Sequence, residues 1–169
     1  RATSNHAQAW GIPVKSGPPI LLDMACAKAS WGKINALAQY GLSMPGDWAL
    51  NAQGEPTTDP NLAKTLLPAA GPRGFGLGIV SGILAGALVG GRLPINRKRE
   101  AMAEGSQHFF YVINPEPFGD LDRFFTRTQE AVDGWHTLEP AEGFERVRIP
   151  GDRQWESVQR AKVEGVAVH

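Results

Sequence analysis

Between Arg73 and Arg92 the sequence runs RGFGLGIVSGILAGALVGGR. Seventeen consecutive residues, Phe75 to Gly91, carry no charge, and glycine recurs at positions 74, 78, 82, 86 and 90. No other stretch constrains the fold as strongly. It can be a membrane span, a phosphate-binding loop or a helix packed in a protein core. A membrane helix needs about 20 predominantly apolar residues. This run is shorter, and six of its seventeen residues are glycine, which adds little apolar surface. A Walker loop needs G-x-x-x-x-G-K-[ST], which is absent, and a dinucleotide fingerprint needs G-x-G-x-x-G. Gly74 and Gly76 are followed by Ile79 where the third glycine belongs, and Gly76 and Gly78 by Ser81. The core helix remains. Each interior glycine costs a helix about 1 kcal/mol relative to alanine, so the stripe requires compensation by packing. Small residues four apart share one face and admit another backbone, while Phe75, Ile79, Ile83 and Leu84 are available to the other side. The expectation is a central helix, buried on most sides. Its start, Ala70-Gly71-Pro72-Arg73-Gly74, is expected to combine a tight turn, free backbone N–H groups and a guanidinium, which suits an anion.

The rest of the chain is consistent with one α/β or α+β domain. The 169 residues suffice for a sizeable core. Seventeen basic residues balance seventeen acidic ones without blocks of either sign, so neither a nucleic acid nor a membrane surface is called for electrostatically. A single cysteine, Cys26, excludes an intrachain disulfide and fits a reducing, cytoplasmic setting. PPILLDMA (Pro18–Ala25) reads as a buried strand ending at Asp23. Ala27 to Tyr40 reads as a helix stopped by Gly41, and Leu42 to Pro60 as a long loop that is either functional or packed on a surface. A short helix is expected over Asn61–Leu67, strands over Gln107–Asn114 and Arg146–Pro150, and helices over Leu121–Trp135 and from Arg153 to about Glu164. Asp152 is the expected cap of the last and Gly165 its stop.

Familiar catalytic constellations are missing. His6, His108, His136 and His169 are scattered, with no H-x-x-x-H and no paired cysteine, so no metal site is expected from this chain. There is no G-x-S-x-G elbow. Cys26 reads as a small buried residue, Arg97-Lys98-Arg99 as a solvated loop, and Asp120 and Asp122 as carboxylates at a helix start. Arg1 cannot act as the nucleophile of a self-processed amidohydrolase.

Five strings in order carry a resemblance: PPILLDMACAKASWGKI (18–34), GEPTTDP (54–60), LLPAAGPRGFGLGIVSGILAG (66–86), FFYVINPEPFGD (109–120) and RIPGDR (148–153). Together they resemble the C-terminal half of the malate/L-lactate dehydrogenase family of NAD(P)-dependent oxidoreductases. This is the non-Rossmann type that includes ureidoglycolate dehydrogenase, diketogulonate reductase and cyclic-imine carboxylate reductases. The resemblance implies an α/β fold with a mixed sheet and packed helices peculiar to the family. Residues 1–169 would form its C-terminal half, with most of the cofactor-binding region. It implies NAD or NADP as cofactor and a small 2-hydroxy, 2-oxo or cyclic imino acid as substrate. Three segments would touch the cofactor: the strand from Pro19 on, chiefly Leu22, Asp23, Met24 and Ala25; then Pro72 and Arg73; then Gly151, Asp152 and Arg153. The family commonly has Lys where Arg73 stands and Thr or Ser where Cys26-Ala27 follows the strand. The proton-donating histidine of the family lies in the other half, so the catalytic residues are expected outside this chain. The implied partner is a complementary N-terminal chain, from a cleaved or nicked precursor or from a separate gene, with such pairs forming a homodimer. An alternative expectation is a family scaffold converted into a cleaved two-chain lyase or hydrolase without hydride transfer. A further one is a non-catalytic assembly subunit.

Overall fold

A computed structural model describes residues 5–96 and 107–166. The basic run Arg97-Lys98-Arg99 and His169 lie outside the described residues. The chain divides into two compact units, one comprising 5–8, 24–96 and 107–111, the other 9–23 and 112–166. Two paired strands, β1 (Ala7–Ile12) and β2 (Ile20–Ala25), begin in one unit and end in the other. β1 was not legible in the polar opening of the sequence. β2 is the expected strand, extended two residues beyond Asp23.

In the first unit, α1 (Trp31–Gln39) starts four residues later than its periodicity suggests. The backbone of the preceding residues is already committed: the Ala27 amide donates to Asn5 Oδ1 (3.0 Å) and that of Lys28 to the Leu67 carbonyl (2.9 Å). Ser30 then caps the helix by accepting from the Lys33 amide, and Gly41, at φ +65°, ends it. Ile34 from α1 is the centre of a small core with Ala29, Met44, Ala49 and Ala63, flanked by Trp31, Leu37, Trp48 and Leu66. The long loop from 42 on is therefore packed: Met44 and Ala49 are among its most buried residues. The helix expected at Asn61–Leu67 does not form. A single 3-10 turn spans Pro60–Leu62, and β4 (Thr65–Leu66) pairs antiparallel with β3 (Ala49–Leu50), Ala49 opposite Leu66. Cross-strand bonding overrides helix propensity in a segment too short to nucleate a helix by itself.

The glycine-rich helix is α2 (Pro72–Leu84), followed by a 3-10 turn at Ala87–Val89. The apolar stretch Pro72–Val89 is long and apolar enough to cross a membrane by composition. Its α-helical part is only 13 residues, about 20 Å, against a hydrocarbon thickness of about 30 Å. The stripe packs as expected on one side: Gly74, Gly78 and Gly82 are buried. A Cβ at Gly74 would fall 2.8 Å from the Cys26 carbonyl oxygen and 2.9 Å from the Ala69 nitrogen, and one at Gly82 would lie 3.2 Å from His6 Nε2. The expectation of burial on most sides is not met. Ile79, Val80 and Ile83 face outward and are exposed, because nothing among the described residues lies over that face.

In the second unit, α3 (Leu121–His136) is capped by Asp120, whose carboxylate accepts from the Arg123 amide at 2.8 Å. The Ser16 amide and hydroxyl both donate to Gln129 Oε1, tying residues near 16 to α3. α4 (Asp152–Glu164) is capped by Gly151 rather than Asp152, and Gly165, at φ +79°, ends it. Neither Gln107–Asn114 nor Arg146–Pro150 forms a strand. Both have strand-like composition, but a strand exists only through a hydrogen-bonded neighbour. The second segment has one such bond, from the Leu21 amide to the Pro150 carbonyl (3.0 Å).

Candidate functional site

The residues expected to hold a cofactor fall into two groups. Met24, Ala25, Pro72 and Arg73 lie in the first unit; Leu22, Asp23, Gly151, Asp152 and Arg153 lie in the second. β2 carries members of both.

In the first group, the end of β2 meets the start of α2 through backbone contacts. The Ala69 amide donates to the Cys26 carbonyl (2.9 Å), and Ala27 forms an isolated antiparallel bridge with Pro68. Gly74 has to be glycine for this approach, since a side chain would press on the Cys26 and Ala69 backbones. Immediately before the helix, Ala70 (φ +50°) and Gly71 (φ +59°) are both left-handed. For alanine this conformation costs about 1–2 kcal/mol, and it is sustained by the bonds around it. Those bonds also correct the expectation of free N–H groups. The Gly71 amide donates to Pro68 (3.2 Å), Arg73 to Ala70 (3.4 Å) and Gly74 to Ala69 (2.9 Å), and Pro72 has no N–H. The turn consumes its own donors. The exposed Arg73 guanidinium, set in the first turn of α2 where the helix dipole is positive, is left as the anion-attracting group. Met24 and Ala25 are half-buried.

Behind the strand end, the Gln8 side chain donates to Ser81 Oγ (2.6 Å), to the Leu77 carbonyl (3.3 Å) and toward Cys26 Sγ (3.7 Å). Burial pushes the Cys26 thiol above its usual range, and the hydrogen bonds with Gln8 and Ser81 offset this only in part. Cys26 is 4% exposed. It is the small buried residue the sequence suggested; a reactive cysteine needs access and a lowered pKa.

In the second group, Gly151 is buried at φ +107° and opens α4. A Cβ there would sit 3.0 Å from the Leu21 nitrogen and 3.3 Å from the Leu21 Cβ. The close backbone approach expected at this glycine is made by the start of β2, and the Trp155 indole adds a bond to the Pro19 carbonyl (3.3 Å). The Asp152 carboxylate is not open to a ligand on all sides. Its Oδ2 accepts from the Ile149 amide and contacts His136 Nε2, both at 2.9 Å. Burial works to raise the Asp152 pKa, but the Ile149 amide, His136 and the charge of Arg146 outweigh it and hold the carboxyl below its ordinary value. Asp23 and Arg153 are exposed and Leu22 is half-buried.

An open cavity of about 680 Å³ adjoins this turn, lined by residues that include His136, Arg146, Asp152, Trp155 and Glu156. Arg146 pairs with Glu156, and Arg148 approaches the same carboxylate at 3.7 Å. Sequence reasoning missed His136, the residue that connects the end of α3 to the start of α4. Sixteen positions separate it from Asp152, and no local spacing announces the pair. Among the described residues, no three His, Cys, Asp or Glu side chains gather in a way that could hold a metal.

The whole chain, residues 1–169, matches the family described as malate/L-lactate dehydrogenase. The chain belongs to that family. It is 33% identical over 168 residues to the ureidoglycolate dehydrogenase (NAD(+)) of Escherichia coli (strain K12), covering 95% of this chain and 47% of that one. It is 31% identical over 166 residues to the delta(1)-pyrroline-2-carboxylate reductase of Ancylobacter novellus, covering 95% and 48%. Among solved structures it resembles the sulfolactate dehydrogenase of Methanocaldococcus jannaschii, with a TM-score of 0.80, 28% identity and coverage of 98% of this chain and 48% of that one. The fold is thus the family's mixed helix-and-sheet fold, as the five sequence strings implied. The chain spans about half the length of the curated relatives it matches.

Proposed function

We propose that the chain supplies the dinucleotide-holding part of an NAD(P)-dependent oxidoreductase acting on a small 2-hydroxy, 2-oxo or cyclic imino acid. The single observation that carries this reading is the family match across all 169 residues. The residues present suit the cofactor in pieces. Arg73 is an exposed cation at a helix start, able to pair with a phosphate in a bidentate way that lysine cannot. Asp23 is an exposed carboxylate on a strand, of the kind that accepts ribose hydroxyls. Gly151 keeps the α4 start pressed against the beginning of β2, and Asp152 locks that turn so that Arg153 is presented outward.

A bound nicotinamide supplies the site that takes or gives the hydride. On oxidation, the hydrogen of the substrate's C–H bond would depart with the bond's electron pair as hydride to that acceptor, the O–H or N–H proton would pass to a general base, and a C=O or C=N bond would form. The general base is proposed to be a histidine outside this chain, on a complementary N-terminal half, with pairs of halves forming a homodimer in the cytoplasm. This chain's part is to bind and orient.

Calorimetric titration of the protein in its assembled state with NADH and NADPH tests the proposal. Arg73→Ala should weaken the preferred dinucleotide about tenfold or more, since a hydrogen bond to a charged group contributes about 1.5–3 kcal/mol; Arg73→Lys should recover part of it. Unchanged affinity in Arg73→Ala would remove the phosphate role. Absence of binding by the wild type would remove the cofactor reading altogether.

A further inference from the structure

We infer that His136 is a positioning residue for the dinucleotide: bonded to Asp152 from the end of α3, it fixes the turn Gly151-Asp152-Arg153 in the shape that meets the ligand. The inference rests on the cofactor reading proposed above, and it adds a residue outside the binding segments. The turn is built by a reciprocal pair of bonds. The Asp152 amide donates to the Ile149 carbonyl (3.2 Å), and the Ile149 amide donates back to Asp152 Oδ2 (2.9 Å). Between them lie Pro150 and Gly151, the latter at φ +107°. Two further bonds tie this region to the start of β2 and the residue before it. The Leu21 amide donates to the Pro150 carbonyl (3.0 Å), and the Trp155 indole to the Pro19 carbonyl (3.3 Å). The tie to α3 is His136, whose Nε2 lies 2.9 Å from the same Asp152 Oδ2.

The chemistry fixes the direction of that bond. Asp152, its pKa depressed, is an anion near neutral pH, and its oxygens only accept. The ring nitrogen facing it therefore carries the proton, and His136 is the donor. Two donors from different elements converge on one carboxylate oxygen. One bond alone leaves a carboxylate free to pivot about it; two hold it in a single rotamer. The nearby cation Arg146 is paired with Glu156, which leaves His136 as the side chain that bonds Asp152 among the described residues. The His136 side chain is 41% exposed and that of Asp152 18%. A pair this open adds little to global stability. Its effect is local, on the residue that precedes Arg153, the exposed cation of the segment. A turn already held in its bound shape needs no ordering when the ligand arrives. Without His136 that ordering cost falls on the affinity.

The test compares wild type, His136→Ala and His136→Gln in the protein's assembled state, by hydrogen–deuterium exchange over 148–153 and by titration with NADH and NADPH. Glutamine keeps an N–H donor near the position of Nε2 and removes the ring. His136→Ala should quicken exchange in the segment and weaken the preferred dinucleotide, each by about three- to tenfold, the part of a charge-assisted bond that survives partial exposure. His136→Gln should restore both to within about twofold of wild type. In an Asp152→Ala background, removing His136 should change affinity by less than about twofold, since its effect passes through Asp152. Wild-type affinity in His136→Ala, a loss that His136→Gln does not recover, or an equal further loss in the Asp152→Ala background would overturn the inference while leaving the cofactor reading in place. A wild type that binds neither dinucleotide would remove the cofactor reading and this inference together.

Discussion

Gly74 and Gly76 lie two residues apart in α2, and the same substitution should have opposite effects at them. An alanine Cβ at Gly74 would sit 2.8 Å from the Cys26 carbonyl oxygen, 2.9 Å from the Ala69 nitrogen and still closer to the Ala69 carbonyl oxygen. All three are backbone atoms, so no side chain can swing aside. Relief requires moving the 68–74 turn away from the end of β2. That stretches the Ala69-to-Cys26 and Gly74-to-Ala69 hydrogen bonds, both 2.9 Å. Overpacking costs about 1–3 kcal/mol and each weakened bond about 1 kcal/mol, while alanine returns about 1 kcal/mol of helix propensity. The net for Gly74→Ala is a loss of about 2–4 kcal/mol. At Gly76 a Cβ meets nothing within 4 Å, so Gly76→Ala should gain up to about 1 kcal/mol. Urea unfolding followed by circular dichroism measures both, as a fall in the midpoint for the first and a rise for the second at unchanged slope. If Gly74→Ala proved as stable as Gly76→Ala, the close approach of β2 to α2, and with it the geometry of the first group of site residues, would be wrong.

Gly151→Ala should lose about 1–3 kcal/mol through its left-handed backbone, with Leu21 crowding added; a thermal melt that matches wild type would refute this. The depressed Asp152 pKa makes a directional claim about pH. The ionised carboxylate contributes stability that is present above its ordinary value of 3.8 and is lost as pH falls through the lower folded value. Asp152→Asn should therefore unfold with a shallower dependence on pH below about 4, which acid titration followed by tryptophan fluorescence reads directly. The buried Cys26, its thiol pushed up by burial, should react slowly with iodoacetamide in the native protein and rapidly in denaturant. Comparable rates in the two states would contradict its burial.

Much of the helical structure was legible because its determinants are local. Asp120 caps α3 and Gly165 stops α4 with atoms within a few residues of each boundary, and Gly41 does the same for the end of α1. β2 was legible for another reason: a compact apolar run behind Gly17-Pro18-Pro19 leaves few alternatives. The misreadings share one cause. Thr65 and Leu66 became a strand because Leu50 and Ala49 lie opposite, and residues 107–114 are not paired in a strand among the described residues. The start of α1 was displaced by hydrogen bonds from Ala27 and Lys28 to distant residues. In the candidate site, the sequence strings named the segments but not the state of their groups. That the 70–74 turn uses its own amides, and that Asp152 is held by Ile149 and His136, depends on φ angles and on a side chain sixteen residues away.

The sequence by itself determined the family, β2 and the four longer helices, and the need for a close-packed glycine face. These follow from residue identity and spacing along one chain, which periodicity and capping read directly. Only the tertiary structure decided how far the opposite face of α2 is covered, which β residues find partners, and which polar groups remain available to a ligand. Each of these is a question of what lies opposite, and a hydrogen bond or an apolar contact exists only when both of its members have been brought together.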